Sequence, residues 1–256
     1  MHRASRILFH FFTAFLWVCG SSALLAQEVK PKPESAALPT AESLIEKYMQ
    51  AVGGKEAILK AKSRVIKGNI EMPAMGLKGA AQIFAKSPDK MLTVIEIEGL
   101  GTIQQGFNGK IGWSKDPLTG VRELKDSELS MLKRSVEFHK DAKLKELYPK
   151  MTVKEKSKLG ESEVYVVEAI PAEGSPETMF FDVKSGFLIR SDFEFEGPQG
   201  KMAFENYLED YKEVEGVKMP FKLRQINPAI SITTKIDEVK QNVEIPDSKF
   251  EKPKAE

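Results

Sequence analysis

Two glutamates, Glu194 and Glu196, form a pair that could act as a general acid and a general base. They lie two positions apart on a predicted strand that also carries Phe193 and Phe195. Because side chains alternate between the two sides of a strand, the glutamates are predicted to face solvent while the phenylalanines face inward. This pattern is typical of an ordinary half-buried strand and does not indicate a catalytic pair.

Other residue types that carry chemistry are scarce. His139 is the only histidine after residue 10, and Cys19 is the only cysteine. The sequence has neither the paired histidine or cysteine spacing of a zinc site nor a Gly-x-Ser-x-Gly nucleophile motif. Gly99, Gly101 and Gly106 resemble a phosphate loop weakly, but no helix follows them to bind a phosphate. We therefore predict that the protein is not an enzyme and holds no cofactor and no metal.

The first 26 residues are predicted to be a secretory signal peptide. Arg3 and Arg6 give a positive start, residues 7–18 are almost wholly apolar, and Ala26 is a small residue before a cleavage site at Gln27. The apolar run is short for a membrane span, and an uncleaved N-terminal anchor is the alternative interpretation. The mature protein is expected in the periplasm or outside the cell.

The mature chain is close to neutral and has no cysteine. Loss of the two signal-peptide arginines leaves 36 Lys and Arg against 37 Asp and Glu, a net charge of −1. A nucleic-acid-binding protein would carry a basic excess on one element, so nucleic acid is not a predicted partner.

Residues 27–40 contain three prolines and are predicted to be a flexible linker before one domain over residues 41–253.

Strands predominate in this predicted domain. Thr40 is the expected N-cap of a first helix, and residues 125–147 form a second helical segment with a break near His139. Short runs of alternating apolar and polar residues, separated by turns, predict about twelve antiparallel strands. A flat sheet of that size would expose too much surface, so we expect one curved antiparallel sheet: an incomplete, half-open β-barrel closed by helices on its concave side.

The predicted strands carry more apolar surface than two helical segments can cover. A curved sheet with an incompletely filled interior forms a ligand cavity, and methionine suits such a site because it adapts to irregular apolar shapes. The residues predicted to line this cavity are Met91, Ile95, Ile97, Phe107, Trp113, Phe193, Phe195, Met202 and Phe204.

Four stretches of the sequence resemble a known family. They are YMQAVGGKEA at residues 48–57, GFNGKIGW at 106–113, YLEDYKEVEGVKMP at 207–220 and DSKFEKP at 247–253. In this order they resemble the outer-membrane lipoprotein-sorting (LolA-like) superfamily, in its branch of secreted proteins, over residues 41–253.

The resemblance implies a half-open barrel whose apolar interior takes the acyl chains of lipids or lipoproteins, with the mid-chain helical segment as a lid. Carriers of this family use a buried arginine to coordinate lid movement. Arg64 and Arg190 are candidates by their position on predicted strands, but the sequence does not assign the role to either.

Two functions are therefore expected. The first is a periplasmic carrier or binding protein for an acylated or lipidic ligand, including lipoprotein sorting to the outer membrane, with transient membrane contact. The second is a cell-envelope interaction module whose half-barrel is filled and whose partner is another envelope protein.

The export signal leads to the first testable prediction. We expect a mature N-terminus at Gln27 and no lipid on Cys19, because Trp17 and Val18 precede this cysteine where a lipoprotein signal needs small residues. The intact mass of the protein from its native envelope measures both. A mass that includes diacylglycerol on Cys19 would contradict the prediction and make the protein membrane-anchored.

Overall fold

A computed structural model describes residues 37–197 and 200–254 of the chain, without the side chains of residues 195–197. The predicted signal peptide and most of the predicted linker lie outside these ranges. Four α-helices are present in the described part: α1 Ala41–Ala51, α2 Lys55–Lys60, α3 Asp126–Val136 and α4 Leu144–Leu147.

Thirteen strands form a single antiparallel sheet. The sequence analysis predicted one such sheet with about twelve strands. Their bounds are β1 Ser63–Met72, β2 Leu77–Lys86, β3 Lys90–Ile97, β4 Gly101–Phe107, β5 Gly112–Asp116, β6 Gly120–Glu123, β7 Lys150–Leu159, β8 Ser162–Ile170, β9 Glu177–Asp182, β10 Leu188–Gly197, β11 Gly200–Val214, β12 Val217–Ile226 and β13 Ser231–Gln241.

The order of strands in the sheet is β6-β5-β4-β3-β2-β1-β13-β12-β11-β10-β9-β8-β7. Each half of the chain is therefore a meander, and the pairing of β1 with β13 joins the two halves in the middle of the sheet. The two edges, β6 and β7, are consecutive in the chain, and the helical segment between them must run from one edge to the other. We call this segment, residues 126–147, the lid.

The sheet curves strongly around the lid. Helix α3 lies against β4 and β5 on one side and against β10 on the other. Since β4 and β10 are seven positions apart in the sheet, a flat arrangement would separate them by about 34 Å, far more than the width of one helix. The expected half-open barrel with helices on its concave side is thus confirmed.

Helix α1 begins where the sequence predicted. The hydroxyl of Thr40 accepts a hydrogen bond from the backbone N–H of Ser43 (3.2 Å), which satisfies one of the free donors of the first turn. The apolar stripe of the helix, Leu44, Ile45 and Tyr48, packs with α4 on the concave side of β8 and β9. The first helix therefore fills the end of the barrel next to edge strand β7.

The opposite, convex side of the sheet is also covered in part. Trp113 of β5 is 1% exposed, and its indole N–H donates to the carbonyl of Phe250 in the C-terminal segment (3.0 Å). Ile245 and Leu92 complete this cluster. Because the C-terminal segment packs here, both sides of the sheet near β3 to β5 are buried.

Edge strand β7 carries four lysines along ten residues: Lys150, Lys154, Lys156 and Lys158. Lys154 and Lys156 pair with Glu168 and Glu163 of β8 at 2.8 and 3.1 Å. The other edge strand, β6, is only four residues long.

No described helix is long and apolar enough to cross a membrane.

A glycine at the end of α1 leads to a prediction about stability. Gly53 has φ +116°, and a Cβ at this position would lie 2.0 Å from the carbonyl oxygen of Gly216. We expect Gly53→Ala to lower the free energy of unfolding by about 3 kcal/mol, since the backbone of one of the two segments must move.

Urea denaturation would measure this loss. Gly160→Ala is the control, because Gly160 also has positive φ (+60°) but has nothing within 4 Å of its Cβ position. It should cost only about 1 kcal/mol of backbone strain. Equal losses in the two variants would show that the contact with Gly216 contributes nothing.

Candidate functional site

A cavity of about 650 Å³ lies between the lid and the concave side of β9 to β13. This volume is within the range of ligand pockets in proteins. Its walls come from two sources that are far apart in sequence. The lid supplies Met131, Leu132, Leu144 and Leu147, and the strands supply Met179, Leu188, Phe193, Phe204, Leu208 and Leu223.

The strand side of the cavity is divided into bands. Phe193 of β10 and Phe204 of β11 pair directly and stack with ring centroids 5.2 Å apart. Two positions further along each strand lie Ser191 and Asn206, which are polar. Leu188 and Leu208 follow beyond them. Apolar surface therefore flanks a narrow polar row.

Helix α3 of the lid and the residue that follows the lid are attached to the cavity wall by a polar clamp. Arg134 of α3 donates to a carboxylate oxygen of Glu177 on β9 (3.3 Å) and to the carbonyl of Glu173 (2.7 Å). The Tyr148 hydroxyl donates to the other oxygen of Glu177 (2.8 Å). Burial, with Glu177 nearby, raises the pKa of Tyr148 well above its ordinary value, so this hydroxyl remains a donor at physiological pH.

The middle of the lid is attached to the N-terminal helices. His139 is buried, and its Nε2 lies 2.9 Å from the carbonyl oxygen of Ala61. The Tyr48 hydroxyl donates to Asp141 (2.8 Å), and burial raises the pKa of Tyr48 well above its ordinary value. The sequence pattern predicted a break near His139, and the structure places a buried anchor there.

Arg64 and Arg190, the two arginine candidates, lie on opposite sides of the sheet. The Arg64 guanidinium is on the lid side, 5.2 Å from the ring centroid of Phe138. Burial lowers the pKa of Arg64, and the nearby Asp141 partly offsets this effect. Arg190 is on the convex side, in an ion pair with Asp192. Only Arg64 is therefore in a position to touch the lid.

Among the residues predicted to line the cavity, Phe193 and Phe204 do so. Phe195 lies on the same strand as Phe193, but its side chain is outside the described ones. Met202 lies near the hairpin tip that joins β10 to β11 and is 36% exposed, away from the cavity wall. Contact of any of these residues with a ligand stays a prediction.

The other predicted lining residues are packed elsewhere. Phe107 is buried beneath α3 with Met91 beside it. Ile95 and Ile97 belong to a cluster near the tips of the first hairpins, with Ile70 and Met72. Trp113 lies on the convex side, so its predicted place inside the barrel differs from the structure. Its position depends on the C-terminal segment, which covers this side of the sheet.

The carboxylates at the cavity accept hydrogen bonds from nearby side chains. Glu128 receives two hydrogen bonds from Arg122 (2.7 and 2.8 Å), Glu177 is held by Arg134, and Asp141 by Tyr48. No three His, Cys, Asp or Glu side chains in residues 37–197 and 200–254 come together as a metal site would require. The arrangement suits the binding of an apolar ligand better than the transfer of a proton.

The similarity of this protein to known proteins lies in its structure. No protein-family model matches the sequence. No curated protein matches it in sequence either.

Solved structures with the same fold include the following three. A DUF1329 family protein from Desulfovibrio piger is 10% identical with a TM-score of 0.58, over 82% of this chain and 96% of that one. A LolA superfamily protein from Nitrosomonas europaea is 15% identical with a TM-score of 0.55, over 84% and 99%. A Vibrio parahaemolyticus domain named for outer membrane lipoprotein sorting is 13% identical with a TM-score of 0.52, over 80% and 97%. The described chain therefore has the LolA-like fold.

Proposed function

We propose that this protein is an exported carrier or binding protein for an acylated or lipidic ligand, which it holds between the lid and the concave side of β9 to β13. The observation that carries the proposal is the cavity of about 650 Å³, with apolar side chains on both the lid wall and the strand wall. Because the lid joins two free sheet edges, it can move without breaking strand pairing.

The energetics favour an acyl chain as the bound group. Burial of each CH₂ contributes about 0.8 kcal/mol, so a chain of about fourteen carbons gains on the order of 10 kcal/mol before ordering and association costs. Those costs offset much of the gain, and affinity of about micromolar strength is expected. Such binding needs no enzyme chemistry.

We further propose that the carrier works in the cell envelope after cleavage of its signal peptide. The finer form of the proposal is that its cargo includes lipoprotein acyl chains delivered to the outer membrane. Support for this form comes from the fold shared with the Vibrio domain named for that process. The half-buried Arg64 against the lid fits a carrier whose lid moves.

Exposed apolar side chains on hairpin tips favour a second candidate function, an envelope interaction module. Met75, Leu100 and Leu118 lie in the turns that follow β1, β3 and β5, all at the same end of the barrel, and Leu118 is 95% exposed. An envelope protein or a membrane surface that contacts this end would cover them. Mass spectrometry of an organic-solvent extract of the purified protein would separate the two functions, since only a carrier retains lipid.

The stacked phenylalanines provide a direct test of the cavity. Phe193→Glu and Phe204→Glu should each abolish binding of a fluorescent fatty-acid probe, because an unpaired charge would enter an apolar site. Phe193→Leu and Phe204→Leu should retain most of the affinity. Leu118→Glu, at an exposed position outside the cavity, should have no effect.

Circular dichroism on each variant shows whether it is folded. Folded glutamate variants that bind the probe like the wild type would place the site elsewhere. Variants that unfold would show that the two rings belong to the core.

The clamp at Glu177 tests the role of the lid. Glu177→Gln removes the carboxylate that faces Arg134 in a largely buried position, and we expect a loss of about 1–2 kcal/mol in the free energy of unfolding. Hydrogen exchange of backbone amides in residues 126–136 should become faster, as should dissociation of the probe.

The ion pair between Lys156 of edge strand β7 and Glu163 of β8 is exposed and provides a matched control. Lys156→Met should change stability by less than about 0.5 kcal/mol and leave lid exchange unchanged. If the backbone amides of the lid exchange hydrogen at the same rate in the wild type and in Glu177→Gln, the clamp does not hold the lid closed.

A further inference from the structure

We infer that the cavity selects lipids whose polar part is uncharged and has both hydrogen-bond acceptors and donors, such as a monoacylglycerol, over free fatty acids. This inference rests on the proposed function and adds to it the chemical class of the ligand. The observation that carries it is a row of three neutral polar side chains across the strand side of the cavity: Ser191, Asn206 and Gln225.

The three residues are direct neighbours on adjacent strands. Ser191 of β10 pairs with Asn206 of β11, and Asn206 pairs with Gln225 of β12. Since strands lie about 4.8 Å apart, the row extends for about 10 Å across the cavity. It lies between the Phe193 and Phe204 rings on one side and the leucines at positions 208 and 223 on the other. A ligand in this cavity therefore meets apolar, polar and apolar surface in turn.

The row leaves both donors and acceptors free for a ligand. The Gln225 side-chain amide donates to the Asn206 carbonyl oxygen (3.1 Å), and no other side-chain hydrogen bond of the two residues occurs in the described part of the chain. The Asn206 NH₂ group and the Gln225 carbonyl remain for a ligand. If both amides are turned over, the free groups exchange between the residues but their types stay the same.

A matched set of donors and acceptors distinguishes ligand classes. An ester carbonyl can accept from the free NH₂, and a glycerol hydroxyl can donate to the free carbonyl. A carboxylate can only accept, so it would face the free amide carbonyl without a hydrogen bond. The row therefore complements an ester that carries hydroxyls better than a fatty-acid head.

The charges of the cavity do not compensate for this mismatch. Five charged side chains of the lining, Glu128, Arg134, Lys140, Asp141 and Glu177, carry a net charge of −1. Arg224 also borders the cavity, but its guanidinium lies over the Tyr207 ring on the convex side of the sheet, as that of Arg190 does. In the part of the chain that the structure describes, each of these five except Lys140 has an ion-pair or hydrogen-bond partner. Lys140 is exposed on the lid, where water would weaken an ion pair with a carboxylate. A fatty-acid carboxylate at the row would thus lose hydration without gaining a free cation.

The test compares two ligands with the same acyl chain, 1-monomyristoylglycerol and sodium myristate, at pH 8 and below the concentration at which either aggregates. Each displaces a fluorescent fatty-acid probe from the full mature chain. We expect the wild type to bind the monoacylglycerol about tenfold more tightly, as one or two additional net hydrogen bonds would give.

The double variant Asn206→Leu with Gln225→Leu should bring the ratio of affinities to about one and retain acyl-chain binding. Both partners are replaced together so that neither amide is left unpaired. The control is Thr234→Val, which removes a hydroxyl from the same cavity outside the row and should keep the tenfold ratio.

Equal affinities in the wild type, or a preference for myristate, would overturn the inference and leave the proposed function in place. A myristate preference that disappears in Lys140→Gln would place the head group at the lid instead. Binding of neither ligand would contradict the proposed function itself. The comparison on the wild type needs no variant, so the inference stays testable if the double variant does not fold.

Discussion

Strand β1 pairs with strand β13 along almost its full length, from Arg64 with Gln241 to Glu71 with Thr233. All other pairings join strands that follow one another in the chain. Without this long-range pairing the chain would form two separate meanders, each with a free edge in the middle of the present sheet. The register shifts between Lys67 and Gly68, and a Cβ at Gly68 would lie 2.2 Å from the Lys235 carbonyl oxygen. A bulge of this kind bends a sheet, so the joint between the halves also contributes to its curvature.

The lid takes its role from the same arrangement. Because the two meanders meet at their first and last strands, the remaining edges belong to strands that are consecutive in the chain. The connection between these edges crosses the concave side. The buried polar contacts of the lid, Arg134 with Glu177 and Tyr48 with Asp141, determine where this connection rests. The apolar side chains that the lid offers to the cavity, Met131, Leu132, Leu144 and Leu147, lie before and after these contacts in the chain.

The sequence predicted those features that depend on local patterns. The N-cap at Thr40, the lid with its break at His139 and most strands follow from spacing and turn residues a few positions apart. Strand β6 shows no recognisable pattern in the sequence, because it has four residues and a single large apolar side chain, Val121. Its assignment as a strand requires the pairing with β5, which spacing alone does not show.

Features that depend on distant segments were not accessible in this way. Alternation places Trp113 on one side of β5, but only the packing of Phe250, which is far away in the chain, decides that this side is convex. The row of Ser191, Asn206 and Gln225 likewise needs the register of three strands. In the sequence these three residues are ordinary polar positions in separate strands.

An open sheet retains two rows of unpaired backbone N–H and C=O groups, and such rows can template the addition of strands from other chains. The lysines of β7 oppose this, because an added strand would have to pair with an edge in which four of ten residues are lysine. Strand β6 is too short to offer a stable template. The chain can thus keep its barrel open toward a lid, and hence toward cargo, with built-in resistance to aggregation through its edges.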